Sequence, residues 1–148
     1  MNDTDDAPAI IARLELKPHP EGGWYRETWR AETATPGTRA GGTAILFLLE
    51  AGQRSHWHKV DAVEIWAWHA GGPILLSTAP DDAGPTDTIR LGGDVLAGEA
   101  PQGIVPAGHW QAAHAADGWA LASCLVVPGF DFAGFVLAPD GWAPGGAG

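Results

Sequence analysis

Cysteine occurs once, at Cys124, so no internal disulfide can staple the chain. Its neighbours Leu121, Ala122, Leu125 and Val126 mark it as a small core residue rather than a nucleophile. Basic residues are scarce: 8 Lys and Arg stand against 18 Asp and Glu, a net charge of −10. Nucleic-acid binding through phosphate neutralisation needs clustered cations, and no such cluster is present. No apolar run approaches the roughly 20 residues of a membrane span. The first residues, Met1 to Asp6, are polar and acidic, unlike a secretory or mitochondrial leader. A soluble, cytoplasmic protein is the expectation. Tyrosine is also used once, at Tyr25.

What is plentiful is glycine, proline and tryptophan, at 21, 12 and 8 of 148 residues. Glycine and proline spread without a period punctuate many short strands better than they punctuate helices. One domain of this length can bury a core without staples. A short helix is expected from Asp5 or Asp6 to Leu14, where Pro8 fits the first turn and Ile10, Ile11 and Leu14 form an apolar face. It should stop before Pro18 and cover the outside of a sheet. Strands are expected from Trp24, then at Thr43–Leu49, Ser55–Lys59, Val63–His69, Ile74–Thr78, Asp87–Leu91, Gln102–Val105, around His109–Ala113 and at Trp119–Val127. Phe130–Leu137 closes the fold, and the tail after Trp142 is expected to fray. This rhythm of strands predicts an all-β sandwich or barrel.

Chemistry concentrates between Gly52 and Glu64. In an extended strand, His56 and His58 would share one face, with Trp57 on the other, and the next strand would return Glu64 beside them. Two imidazoles and a carboxylate suit Zn, Fe, Mn or Ni with an open coordination position. They equally suit a hydrogen-bonded histidine pair neutralised by Glu64. On the strand beginning at Trp24, Arg26 shares a face with Trp24 and Thr28, and Tyr25 shares the other with Glu27 and Trp29; Tyr25 or Arg26 would touch a substrate if that strand lines a pocket. Trp66 and Trp68 share strand parity with Glu64 and offer indoles for a sugar or aromatic ring. His19, His69 and His114 read as local structural residues.

The stretch Gly52, His56-x-His58, Glu64, Gly71 resembles the first motif of the cupin superfamily, with Gly52 nearer the histidines and Glu64 further out than usual. Gly98 and Pro106-Ala107-Gly108 resemble the second motif, in which a histidine is expected three residues past Gly108; Gln111 stands there. Leu16–Thr28, Trp57-His58, Glu64-Ile65-Trp66, Pro101-Gln102, Trp110-Gln111 and Val127–Phe132 are similar to one small branch, the fifth cupin family, of unknown function and often labelled sugar-epimerase-like. The resemblance spans about Ile10 to Leu137 and implies a double-stranded β-helix, a jelly-roll barrel, usually in a homodimer. It implies a metal held by His56, His58, Glu64 and Gln111, with His109 as a substitute for Gln111. It also implies a polar small-molecule ligand, for which Glu21 and Phe130 of the family blocks join Arg26, Trp66 and Trp68 as candidate contacts. By analogy with sugar-nucleotide epimerases of this fold, a metal-free alternative casts His58 as base, Glu64 as its orienting partner and Tyr25 as acid. A non-catalytic carbohydrate or small-molecule binder is the third reading.

Overall fold

The computed structural model describes residues 5–146, so Met1–Thr4 and the last two residues of the expected frayed tail lie outside the described residues. Helix α1 (Ala7–Leu14) forms where the apolar spacing predicts it, with Pro8 in its first turn. It ends at Glu15, which takes a left-handed backbone (φ 57°) and lets Leu16 turn back onto the helix. Eleven strands follow. The first, β1 (Lys17–Pro18), is a two-residue strand that sequence patterning does not predict, and β2 (Trp24–Arg30) pairs with it. The remainder are β3 (Thr43–Leu49), β4 (Arg54–Val60), β5 (Val63–Gly71), β6 (Ile74–Ala79), β7 (Asp87–Leu91), β8 (Gln102–Val105), β9 (Trp110–His114), β10 (Ala120–Val127) and β11 (Phe135–Leu137).

They form two antiparallel sheets, one in the order β1-β2-β3-β10-β5-β8 and the other in the order β11-β4-β9-β6-β7. This is the expected jelly-roll arrangement. Inward residues of both sheets, including Phe47, Leu49, Trp66, Ile74, Leu76, Leu91 and Val105, make one buried cluster that fills one end of the interior. The helix covers the outer face of the six-stranded sheet, where Ile10, Ile11 and Leu14 pack with Leu46, Leu48 and Leu121. Burial of that apolar stripe, rather than helix propensity, holds so short a helix in place. The C-terminal segment is packed as far as Pro144: Trp142 lies 4.5 Å from Trp110, ring to ring, and Pro144 is buried.

One irregularity decides which side chains enter the interior. Between Ser55 and His58 the pairing of β4 with β9 slips, so three steps on β4 match two on β9, from Ala113 to Gln111. The extra residue is a β-bulge, and it reverses side-chain parity across it. Ser55, His58 and Val60 are therefore the inward residues of β4, all buried, while His56 and Trp57 leave the interior.

Candidate active site

Beyond the apolar plug, the other end of the interior opens as a cavity of about 670 Å³. Tyr25, Ile45, Phe47, Glu64, Cys124 and Val126 line it from the six-stranded sheet, and His58 and Val60 from the other. His19 and Glu21 close one side, and Phe130, Asp131 and Phe132 stand at the mouth with Lys17, Arg30 and Arg39. Cys124 is thus a core residue that also borders the cavity.

The turn before β2 delivers Glu21. Gly22 and Gly23 both have positive φ, 109° and 83°, which favours glycine. The turn brings the Glu21 carbonyl against β4, where it accepts from the His56 N–H at 2.7 Å. The carboxyl is then buried in the cavity. Ser55 Oγ donates to its Oε2, and its Oε1 lies 3.4 Å from His58 Nε2 and 3.3 Å from His19 Nδ1. Burial pushes Glu21 up to about 8.

His58 is fully buried, and its ring is fixed from behind. Nδ1 donates to the His56 carbonyl at 2.8 Å, so in the neutral ring Nε2 has no proton and faces Glu21. Desolvation holds the imidazole below its ordinary range. The expectation that Glu64 orients this ring is replaced by the carbonyl of His56. Glu64 is engaged elsewhere: its Oε1 accepts from Gln111 Nε2 at 2.9 Å, and Gln111 Oε1 in turn accepts from Trp66 Nε1 at 2.9 Å. Burial raises Glu64 to about 7. Cys124 beside it is pushed far up, again chiefly by burial.

The remaining expected contacts divide by face. Tyr25 and Phe130 line the cavity. Arg26 points outward, where its guanidinium donates to the Leu14 carbonyl at 3.2 Å, so it braces the helix and does not reach the pocket. Trp66 is buried in the apolar plug, and Trp68, partly buried against it, donates to the Gly72 carbonyl at 2.9 Å; they share the face of Glu64 but lie outside the cavity lining. His109 sits in the turn before β9, away from the cavity lining.

The expected metal ligands do not converge. His56 lies outside, with its Nε2 on the Pro139 carbonyl at 3.0 Å. Gln111 does face His58 across the β4–β9 pairing, but its amide is held at both ends, the oxygen accepting from the indole of Trp66 and the nitrogen donating to Glu64. Among the described residues no group of three or more His, Cys, Asp and Glu side chains is arranged to hold a metal ion. The donor set does not fit the metal that the motif implies.

Sequence patterning misses two residues of this site. His19 reads as a turn residue but is buried, with its ring 4.5 Å from that of Tyr25. Ser55 is overlooked because the bulge cannot be seen in a strand of suitable composition. For His19, its place two residues before Glu21 in a proline- and glycine-rich turn is the available signal.

Residues 8–138 match the family described as Cupin superfamily (DUF985). The chain belongs to that family. A protein from Shewanella oneidensis of solved structure is 40% identical, with a TM-score of 0.83 over 91% of this chain and 85% of that one. A hypothetical protein from Leishmania major is 32% identical, with a TM-score of 0.78 over 87% of this chain and 85% of that one. Oxalate decarboxylase from Bacillus subtilis shares the cupin fold at 16% identity, with a TM-score of 0.61 over 81% of this chain but only 29% of the enzyme. No curated protein matches. Membership therefore carries the fold and the pocket without a reaction. Among the described residues no helix is long and apolar enough to cross a membrane.

Proposed function

We propose that this cupin binds a small polar metabolite bearing a carbonyl group, such as a sugar or sugar nucleotide, and moves a proton on it without a metal. The observation that carries the reading is the commitment of His58 Nδ1 to the His56 carbonyl, which leaves Nε2 as an unprotonated base on the cavity wall. An imidazole held neutral by burial, near groups that can give protons, meets the requirement for general acid–base catalysis at neutral pH. Tyr25 and Glu21 both border the cavity as candidate acids, and Glu64 tunes the field at His58 from its place on Gln111.

Incubation in deuterated water with a panel of nucleotide sugars and free sugars tests this. Exchange of a carbon-bound proton next to a carbonyl is expected, and His58→Ala should abolish it. Lack of exchange with every member of the panel counts against the reading.

A non-catalytic binder is the second reading, favoured by the mouth itself. Phe130, Phe132 and Phe135 stack edge-to-face, and Phe132 is 54% exposed beside the cavity, a surface suited to a sugar or aromatic ring. A divalent Zn, Fe, Mn or Ni ion remains the motif's expectation, and the orientation of Gln111 and His56 argues against it. Homodimer formation belongs to the proposal on family expectation and a cytoplasmic location on composition; size-exclusion chromatography with light scattering tests the first.

A further inference from the structure

We propose that the acid working with His58 is Glu21 and that the two act on one face of the substrate, so the reaction is a proton shift within a small α-hydroxycarbonyl compound rather than inversion of a stereocentre. This deepens the reading above and rests on His58 as its base.

Hydrogen-bond accounting places the proton. His19 Nδ1 accepts from the Glu21 backbone N–H at 3.2 Å, so it carries no proton of its own. His58 Nε2 carries none either in the neutral ring that burial favours, whose one proton lies on Nδ1 against the His56 carbonyl. Glu21 Oε1 therefore faces two acceptor nitrogens, at 3.3 and 3.4 Å. An ionised carboxylate there would set three acceptors against one another in a buried site; a carboxylic acid with its proton on Oε1 removes the conflict. Ser55 donates to Oε2 and so marks it as the carbonyl oxygen of that acid. Glu64 and Cys124 lie nearby and neither is a cation, and the cations of the cavity, Lys17, Arg30 and Arg39, stand at its mouth with Glu27 and Asp131. The upward displacement of Glu21 by burial agrees with this assignment and is not needed for it.

A gap of 3.4 Å between acid and base admits no substrate between them, so both must reach the same face. His58 Nε2 takes the proton from the carbon bearing the hydroxyl, and that C–H electron pair becomes the C=C bond of an enediol. Glu21 Oε1–H gives its proton to the carbonyl oxygen in the same step. Imidazolium and carboxylate are left side by side and neutralise one another. In the return step the imidazolium protonates the former carbonyl carbon, and the Glu21 carboxylate takes the proton from the other enediol hydroxyl. Carbonyl and hydroxyl have exchanged places, both residues are neutral again, and no oxidant or reductant is used. Inversion at one carbon needs a proton delivered to the opposite face, which neither group can reach.

The test has a substrate-free arm and a turnover arm. In protein carrying ¹⁵N-histidine and ¹³C-glutamate, NMR at neutral pH should show His58 protonated on Nδ1 alone and the Glu21 carboxyl neutral. Glu21→Gln should move the His58 Nε2 resonance, whereas His69→Ala, on the exposed face of β5, should not. An ionised Glu21 beside a His58 imidazolium overturns the proposal. In deuterated water, small α-hydroxy aldehydes and ketones should interconvert and gain deuterium at carbon without inversion. Glu21→Gln should slow this by about 100-fold or more. Exchange confined to nucleotide sugars, with inversion and with Glu21→Gln active, overturns the proposal while sparing the base reading. Lack of exchange with either set of compounds removes the base reading, and this proposal with it.

Discussion

Gln111 faces His58 across the β4–β9 pairing, yet its amide is turned to Glu64, to which it donates at 2.9 Å. The position that the motif reserves for a metal ligand has become the middle of a chain from Trp66 through Gln111 to Glu64. Since Trp66 and Glu64 lie on β5 and Gln111 on β9, that chain ties the two sheets together through the interior.

Gln111→Leu should therefore destabilise the fold. It strips partners from the Trp66 N–H and from Glu64, and a buried polar group left unpaired costs about 1–3 kcal/mol. Urea unfolding measures this; a midpoint equal to wild type would show that the chain carries no weight.

Metal analysis of the purified protein should find far less than one divalent ion per chain, and His58→Ala should not change the figure. Near-stoichiometric metal that is lost in His58→Ala would refute the donor argument and restore the motif's expectation.

Stability should fall as pH rises from about 6.5 to about 8. Glu21 and Glu64 titrate near 8 and 7 when folded, above the ordinary 4.5, so the native state holds protons there that the unfolded state has released. Their stabilisation is complete below the unfolded value and lost through the folded one. His19, lowered to about 4, and His58 act in the opposite sense, but only below their ordinary 6.5, where the two pairs oppose each other. Denaturation midpoints across this range should slope downward in wild type and less steeply in Glu21→Gln. An upward slope would contradict the burial of these carboxyls.

Phe132→Ala should leave stability within about 0.5 kcal/mol of wild type, as expected for an exposed side chain. Ligand affinity should nonetheless drop, because the ring stands at the cavity mouth. Calorimetry with any ligand found by the exchange panel separates the two effects.

Gly22→Ala should be more damaging than its small volume implies. The position has φ 109°, and an added Cβ would overlap the Arg54 carbonyl, a backbone atom that has little room to move. A loss of more than about 1 kcal/mol is expected, with weaker coupling between Glu21 and His58. An unchanged unfolding midpoint would show that the turn tolerates another conformation.

Most of the fold was legible because strand signals are local. The apolar run Thr43–Leu49 and the strands at Asp87–Leu91 and Gln102–Val105 stand where alternation and turn residues put them. The pocket was legible in part, since Glu21, Tyr25, His58, Glu64 and Phe130 all reach it. What failed depends on contacts distant in sequence. The outward turn of Arg26 follows from the helix laid over it, and the loss of Gln111 as a ligand follows from an indole 45 residues earlier. Composition reports neither.

The bulge in β4 has a consequence for anyone wishing to rebuild this pocket. Because one surplus residue separates Ser55 from His58, the inward neighbour preceding the base is at position 55. On the N-terminal side of His58, a second imidazole would have to enter by Ser55→His, at the expense of the hydroxyl that holds Glu21, while no change at His56 could bring its ring inside. Placing a metal ligand at position 55 and keeping the acid are competing uses of one side chain.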